Sequence, residues 1–468
     1  MIDLRRSGQR SFGEGFIAEQ TANLWEPWMR QADRLLEDEQ LVNAVYEALL
    51  NRRPKSRTRG RRGVPAEIVL RLMLLKHIRN WSFGELEREV RPNLLYREFT
   101  RVGSAKVPDA KTLGRQAQAL GPEVVERIHQ RLVELALDNK VVQGRKMRVD
   151  TTVVETNIHY PTDSSLLGDG DRVLTRLMNK VTAIAGAVGT KLRDRMRSVQ
   201  RRVAEIARAS RAKGDKGKEK IQPLYGKLLE ITGRVVGQAK RFSSDIASGV
   251  KCSSDVLKQA ALEGLKRQID EMTETVKKVV HQAKARVFGG DTHVEGKILS
   301  VFETSTEVIR KGKASKPTEF GKMVKIQEAE NQIVIDFVVY DHKPSDSDLL
   351  IPSIETHQTR MGRTPDLAAA DAGFYSAKNV AQAEQMGVKR VSVPNRSTKS
   401  PARRQYQKQR WFKKGQKWRT GCEGRISLLK RRHGLRRSLY KKEAGMKRWV
   451  GLGVIADNLI NLGRALAK

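Results

Sequence analysis

The stretch "KMRVDTTVVETN", residues 146–157, decides how the rest of the chain is read. Its Val and Thr residues are β-branched and predict a buried strand, yet Asp150 stands in the middle of it. A carboxylate inside a sheet costs free energy unless a hydrogen bond, a cation or a metal compensates it. The chain is also strongly basic, with 90 Lys plus Arg against 53 Asp plus Glu and a net charge of +37 over 468 residues. Asp150 is therefore a candidate ligand. By strand alternation Glu155 falls on the opposite side and is not counted with it.

Further strands are expected downstream in "GKILSVFE" (296–303), "GKMVKIQEAE" (321–330) and "NQIVIDFVVYD" (331–341), a meander turning at "EAENQ". A helix over 346–362 follows, then a short strand "PDLAAAD" ending at Asp371, a helix over 375–387 and a last strand "VKRVSVP" at 388–394. This is a mixed α/β core. Its first strand is separated from the others by a basic helical excursion over 171–287, softened at "RAKGDKGKEKIQP" (211–223). The charges of that insertion are either a solvated face or a clamp on DNA or a second subunit. Upstream, helical periodicity runs over 15–50, and the basic "NRRPKSRTRGRRG" (51–63) reads as an exposed connection or phosphate-contacting arm. Two helices over 65–90 follow, with Pro65 in a first turn and Ser82 and Glu85 at capping-box spacing. A helical stretch over 111–139 breaks at Gly121-Pro122. These helices either form a helix-turn-helix-like DNA reader or simply pack together. The expected division is 1–140 helical, 141–170 first strand, 171–290 insertion, and 291–468 the remaining core with a basic C-terminal region.

The charge excess favours a polyanion through counterion release, with DNA or RNA the first candidate. No run of 18 apolar residues exists to span a membrane, and the first residues, "MIDLRRSGQRSFGEGF", lack the apolar segment of a secretory signal. The two cysteines, Cys252 and Cys422, fit a reducing compartment. The eight histidines show no zinc spacing.

Chemistry in open α/β sheets gathers at strand ends. Asp150 and Asp371, 221 positions apart, both sit on core strands. Hard oxygen donors without His or Cys favour Mg²⁺ or Mn²⁺, and a pair of such ions, ~3.5–4 Å apart, can drive phosphodiester chemistry. A third acid is then needed. Glu384, Glu423 and Glu443 are candidates, and between Arg390 and Arg448 there are 21 Lys or Arg with only Glu423 and Glu443 as acids. A helix beginning at Gly421 would present Glu423 with Ile426 and Lys430 on its stripe.

"RVDTTVVETN", "AAADAGFYS" and the Arg419, Glu423, Lys430 constellation together resemble the insertion-sequence DDE transposases with a ribonuclease-H-like core. The similarity is greatest to the ISNCY-type group, whose first motif continues in the manner of His159 to Leu167 here. The helices over 65–100 are similar to the domain that precedes the core in such enzymes. The resemblance implies a triad of Asp150, Asp371 and Glu423 holding Mg²⁺ or Mn²⁺, two ions in all. It implies an enzyme that hydrolyses a phosphodiester at an element end, frees a 3′-OH and joins it to target DNA by transesterification. Arg419 and Lys430 would contact transposon-end DNA, with Arg425 and Trp418 beside them. Where the family carries a Tyr this chain has Gln416, with Trp411 and Trp418 nearby. Double-stranded DNA, a homodimer or larger assembly on it, and a cytoplasmic, nucleoid-associated location follow from the resemblance. A domesticated DNA-binding protein without activity and a ribonuclease-H-like nuclease are the alternative readings.

Overall fold

In the computed structural model, the residues described are all except 7–14, 16–18, 53, 58, 61, 212–214 and 311–317, with backbone alone at 215–218. Arg53, Thr58 and Arg61 of the basic arm, part of the N-terminal stretch read for a signal, and 212–214 of the softer patch thus lie outside the described residues.

Strand β1, Lys146–Glu155, is the centre of a six-stranded sheet. Its β-branched run is buried on both faces, as a central strand requires. It pairs antiparallel with β3, Thr318–Glu328, from Arg148 opposite Glu328 to Glu155 opposite Gly321. On its other edge it pairs parallel with β5, Leu367–Ala369, which pairs parallel with β6, Arg390–Ser392. β2, Glu307–Arg310, and β4, Val334–Val339, both pair antiparallel with β3. Antiparallel strands on one side of β1 and parallel strands on the other make the ribonuclease-H-like arrangement.

The pleat of β1 sorts its side chains between two helical layers. Odd-numbered Met147 and Val149 pack with Leu350 and Ile354 of a helix at Leu350–Met361 and Val380 of another at Ala377–Gln385. Even-numbered Val154 packs with Leu429 of α15, Arg410–Arg432, and with Val450 and Val454 of α16, Lys442–Leu466. (Helices are counted from α1, Pro27–Leu35.) Asp150 shares the even face.

Upstream of β1 stand α2 (Glu39–Arg52), α3 (Ala66–Arg79), α4 (Phe83–Val90), a short helix at Leu94–Phe99, α6 (Ala110–Ala119) and α7 (Pro122–Asp138). Pro65 is the residue before α3 rather than within its first turn. Ser82 and Glu85 form the capping box, Ser82 Oγ accepting the Glu85 amide at 3.1 Å and Glu85 Oε2 the Ser82 amide at 2.7 Å. Gly121 caps α7, which separates it from α6. These helices share one apolar core with Leu452, Ile455, Leu459 and Leu462 of α16. A Cβ on Gly463 would stand 2.2 Å from Trp28 O, so a glycine is required where α16 crosses α1. Arg71, fully buried in α3, ties the group by ion pairs to Asp33 at 2.6 Å and Glu67 at 3.0 Å. Residues 1–157 and 307–468 accordingly make one compact unit.

Residues 158–306 make a second unit. It holds α8 (Asp163–Ala185), α9 (Met196–Ala209), α10 (Asp215–Ala247) and α11 (Val256–Gly289) around two apolar clusters. Most of the softer patch is the start of α10. The strand expected over 296–303 is absent. Ile298 and Val301 are buried among these helices, and the Gln282 side chain takes both backbone groups of Ile298, at 2.9 and 3.0 Å, in place of a β-ladder.

Candidate active site

The parallel register of β1 and β5 ends at Arg148 opposite Ala369. Asp150 stands two residues beyond Arg148 on β1, and Asp371 two residues beyond Ala369, just past the end of β5. Asp371 caps the turn Ala372–Phe374, its Oδ1 accepting the Gly373 amide at 2.9 Å. Asp150 Oδ1 accepts the Thr151 amide at 2.7 Å. Small residues before Asp371, Ala368 to Ala370, are fully buried and let the strand end in the sheet interior.

α15 packs on the even face of β1 and carries Glu423. The helix does not begin at Gly421; it runs through that position from Arg410. A Cβ on Gly421 would stand 2.2 Å from Arg148 Nη1, so the glycine serves close approach to β1 rather than helix initiation. Glu423 is 55% exposed at its side chain, and its Oε1 meets Arg419 Nη2 at 2.8 Å. Arg419 Nη1 lies 3.7 Å from Asp150 Oδ2. One guanidinium therefore stands between the two acids, with its Nε buried and lacking a hydrogen-bond partner.

Behind this front lies a buried charge network. Glu328 of β3, completely buried, receives Arg148 of β1 at 2.7 Å and Arg425 of α15 at 3.3 Å. Arg425 Nη1 also donates to both carboxylate oxygens of Asp457 of α16, 2.9 Å to each, and Nη2 donates to Gln332 Oε1. Its expected place on DNA is corrected: it is 5% exposed and its donors are engaged inside the protein. Trp418 is half-buried beneath Arg148, whose guanidinium lies 4.8 Å from the ring centroid. Lys430 is half-buried on the same helix. Gln416 donates from Nε2 to Ser392 Oγ at 3.1 Å and Ala370 O at 3.3 Å, which docks α15 on the ends of β5 and β6. An amide thus stands at the position where the resemblance implied a tyrosine. Cys422 is buried beside these acids, and burial first, then Glu328 and Asp150, pushes its thiol well above the usual range. It is inert as a nucleophile.

Of the other acids weighed, Glu443 pairs with Lys447 at 2.6 Å, and Glu384 is exposed on the helix at 377–385. One acid was not anticipated. Asp346, in the turn Asp346–Leu349, accepts the Thr151 hydroxyl at 3.0 Å. A Cβ on Gly373 would stand 3.2 Å from Asp371 Oδ1 and 3.3 Å from Asp346 Oδ2, so both carboxylates border one glycine. In sequence Asp346 looks like a helix-start residue in "SDSDLL", and no spacing rule distinguishes it from Asp348.

The donors are all hard oxygens and suit a divalent cation of the Mg²⁺ type. Among the described residues no three acidic, His or Cys side chains yet converge on one point. The guanidinium of Arg419 holds Glu423 instead. Among the described residues no helix is long and apolar enough to cross a membrane.

Two family models match the chain. Residues 25–118 match a Transposase domain (DUF772), and residues 294–459 match a Transposase DDE domain. The second match contains Asp371 and Glu423, whereas Asp150 lies in the segment between the two. No curated protein and no solved structure matches. The two matches together span more than half of the chain, on a mixed sheet whose order suits that domain. The chain belongs to the insertion-sequence DDE transposases, enzymes of metal-dependent DNA cleavage and strand transfer.

Proposed function

We propose that Asp150, Asp371 and Glu423 form the catalytic triad, and that the protein frees a 3′-OH at each end of an insertion element and joins it to target DNA. What supports this reading is that Asp150 and Asp371 each follow by two positions the last paired residues of β1 and β5, Arg148 and Ala369. Two divalent ions, Mg²⁺ or Mn²⁺, held by these three acids would activate the attacking oxygen and stabilise the leaving one. Arg419 would leave Glu423 for a DNA phosphate, since a guanidinium suits that geometry bidentately. Lys430, on the same helix, would take a neighbouring phosphate. Gln416 and the Glu328 network would hold α15 against β1 while the DNA is handled. Acting on two ends calls for at least a dimer.

The test is an in vitro reaction with element-end DNA and Mg²⁺, comparing the parent with Asp150→Asn, Asp371→Asn and Glu423→Gln. Each change keeps the side-chain shape and removes the charge. Loss of cleavage by on the order of a hundredfold or more is expected for each, the scale of removing one electrostatic contributor. Cleavage at the parental rate by any one variant would remove that residue from the triad.

A further inference from the structure

A cleft of about 820 Å³ opens in the N-terminal helices, between the end of α2, the turn Pro54–Arg57, the entry to α3 and one side of α6. It is far from a smooth basic face. Arg52, Lys55, Arg59 and Arg115 stand around it, all exposed. None of the four has a carboxylate partner among the described residues. Two are held in place without being neutralised. Arg52 donates to Arg115 O at 2.8 Å, and Arg115 donates to Thr112 Oγ1 at 3.2 Å. Inside, Leu49 and Val64 supply apolar wall. Gln116 also lines the cleft; it is 9% exposed, and its amide oxygen is buried with no hydrogen-bond partner.

Duplex backbone alone would need the cations and no cavity. The volume lies within the ~300–1,000 Å³ of sites that enclose a small molecule. Apolar walls accept a flat ring, and the Gln116 side chain borders them. The ligand that joins phosphates to a flat, hydrogen-bonding ring is a nucleotide, and this enzyme's substrate supplies nucleotides as DNA.

We infer that this cleft receives one unstacked nucleotide of the DNA end, its flanking phosphates on Arg52, Lys55, Arg59 and Arg115 and its base against Leu49, Val64 and the Gln116 amide. Extruding a base costs least where the duplex ends or is distorted. The cations and the contact with the unstacked base offset that cost. The cleft would thereby mark the distorted end of an element in preference to continuous duplex. This rests on DNA being the substrate, but not on the triad.

The experiment uses the full chain in EDTA, so that no cutting occurs and failure of the triad assignment leaves the result unaffected. The probe is a short duplex carrying the element's terminal repeat, with 2-aminopurine placed at each adenine in turn. Binding should raise the fluorescence severalfold at one position near the end. Val64→Trp, which fills the cleft and leaves the cations alone, should abolish that rise while keeping the salt dependence of binding. The double variant Arg52→Ala, Arg115→Ala, at two exposed positions, should lower the log–log salt slope by about 1.8, two phosphate contacts at ~0.9 each. Far-UV circular dichroism checks that each variant is folded. No fluorescence rise at any position, a rise that survives Val64→Trp, or an unchanged salt slope in the double variant would overturn the inference. Displacement of the DNA signal by micromolar free dAMP would overturn it too, because the cleft would then be a mononucleotide site.

Discussion

Asp171 gives the sharpest quantitative test of how the second unit is built. It sits on α8 with no exposed surface, and Thr232 of α10 donates its hydroxyl to Oδ2 at 2.8 Å. Among the described residues its Oδ1 has no hydrogen-bond partner and no cation offsets the charge. Burial therefore raises its pKa from 3.8 to about 7, with the Thr232 hydrogen bond opposing the shift. The folded state holds the proton that the unfolded chain releases above pH 3.8. This contribution to stability is complete below that pH, falls by about 1.4 kcal/mol for each pH unit above it, and is lost by about pH 7. The interval of ~3 units corresponds to about 4 kcal/mol as an order of magnitude. Asp171→Asn keeps the shape and the Thr232 contact but removes the titration. Urea unfolding of both proteins, followed by circular dichroism from about pH 5 to pH 8.5, should show the Asn variant gaining on the parent up to about pH 7. The gap should then level off. All six tryptophans lie outside residues 158–306, so their fluorescence follows the other unit in the same samples. Two stability curves that stay parallel across that range would refute the reasoning.

Glu328→Gln should be costly, because it leaves the buried guanidinium groups of Arg148 and Arg425 short of charge. A loss of about 3–5 kcal/mol is expected from urea unfolding read by tryptophan fluorescence, and a loss below ~1 kcal/mol would mean that the network relaxes. Arg419→Ala should tighten Mn²⁺ binding in the absence of DNA by calorimetry, since the cation standing between Asp150 and Glu423 is gone; unchanged or weaker binding would contradict the competition. Ser82→Ala should cost about 1 kcal/mol by breaking the capping box of α4, and an unaltered midpoint of thermal unfolding would contradict this.

The sheet was readable because strand chemistry is local. The β-branched run at 146–155 and the small residues before Asp371 each declare a buried strand without reference to anything distant. Apart from the one-residue boundary at Pro65, the misreadings come from partners that sequence spacing cannot reveal. "GKILSVFE" has strand composition, but the Gln282 side chain satisfies its backbone and helices bury its apolar residues. Gly421 looks like a helix start until Arg148 is seen against it. Arg425, one of many arginines in a basic tract, differs from its neighbours only because Glu328 and Asp457 come from other elements. Asp346 came to notice only through Thr151 and Gly373. Local propensity thus defined the elements, and long-range pairing decided what each charge does.

That distinction changes what the net charge of +37 means. Arg71, Arg148 and Arg425 are each no more than 5% exposed, and each is paired with carboxylates from other elements or the preceding helical turn. The acids engaged there are withdrawn from the surface along with the arginines they neutralise. Among the described residues, Arg52, Lys55, Arg59 and Arg115 are a group of exposed cations without a carboxylate partner. Exposed charges are screened by salt over about 8–10 Å, whereas buried pairs are screened far less. Raising the ionic strength should therefore weaken DNA binding steeply while leaving the core network intact. A protein whose arginines all served the fold would lose no DNA affinity, and one whose arginines all served DNA would have no reason to bury Glu328.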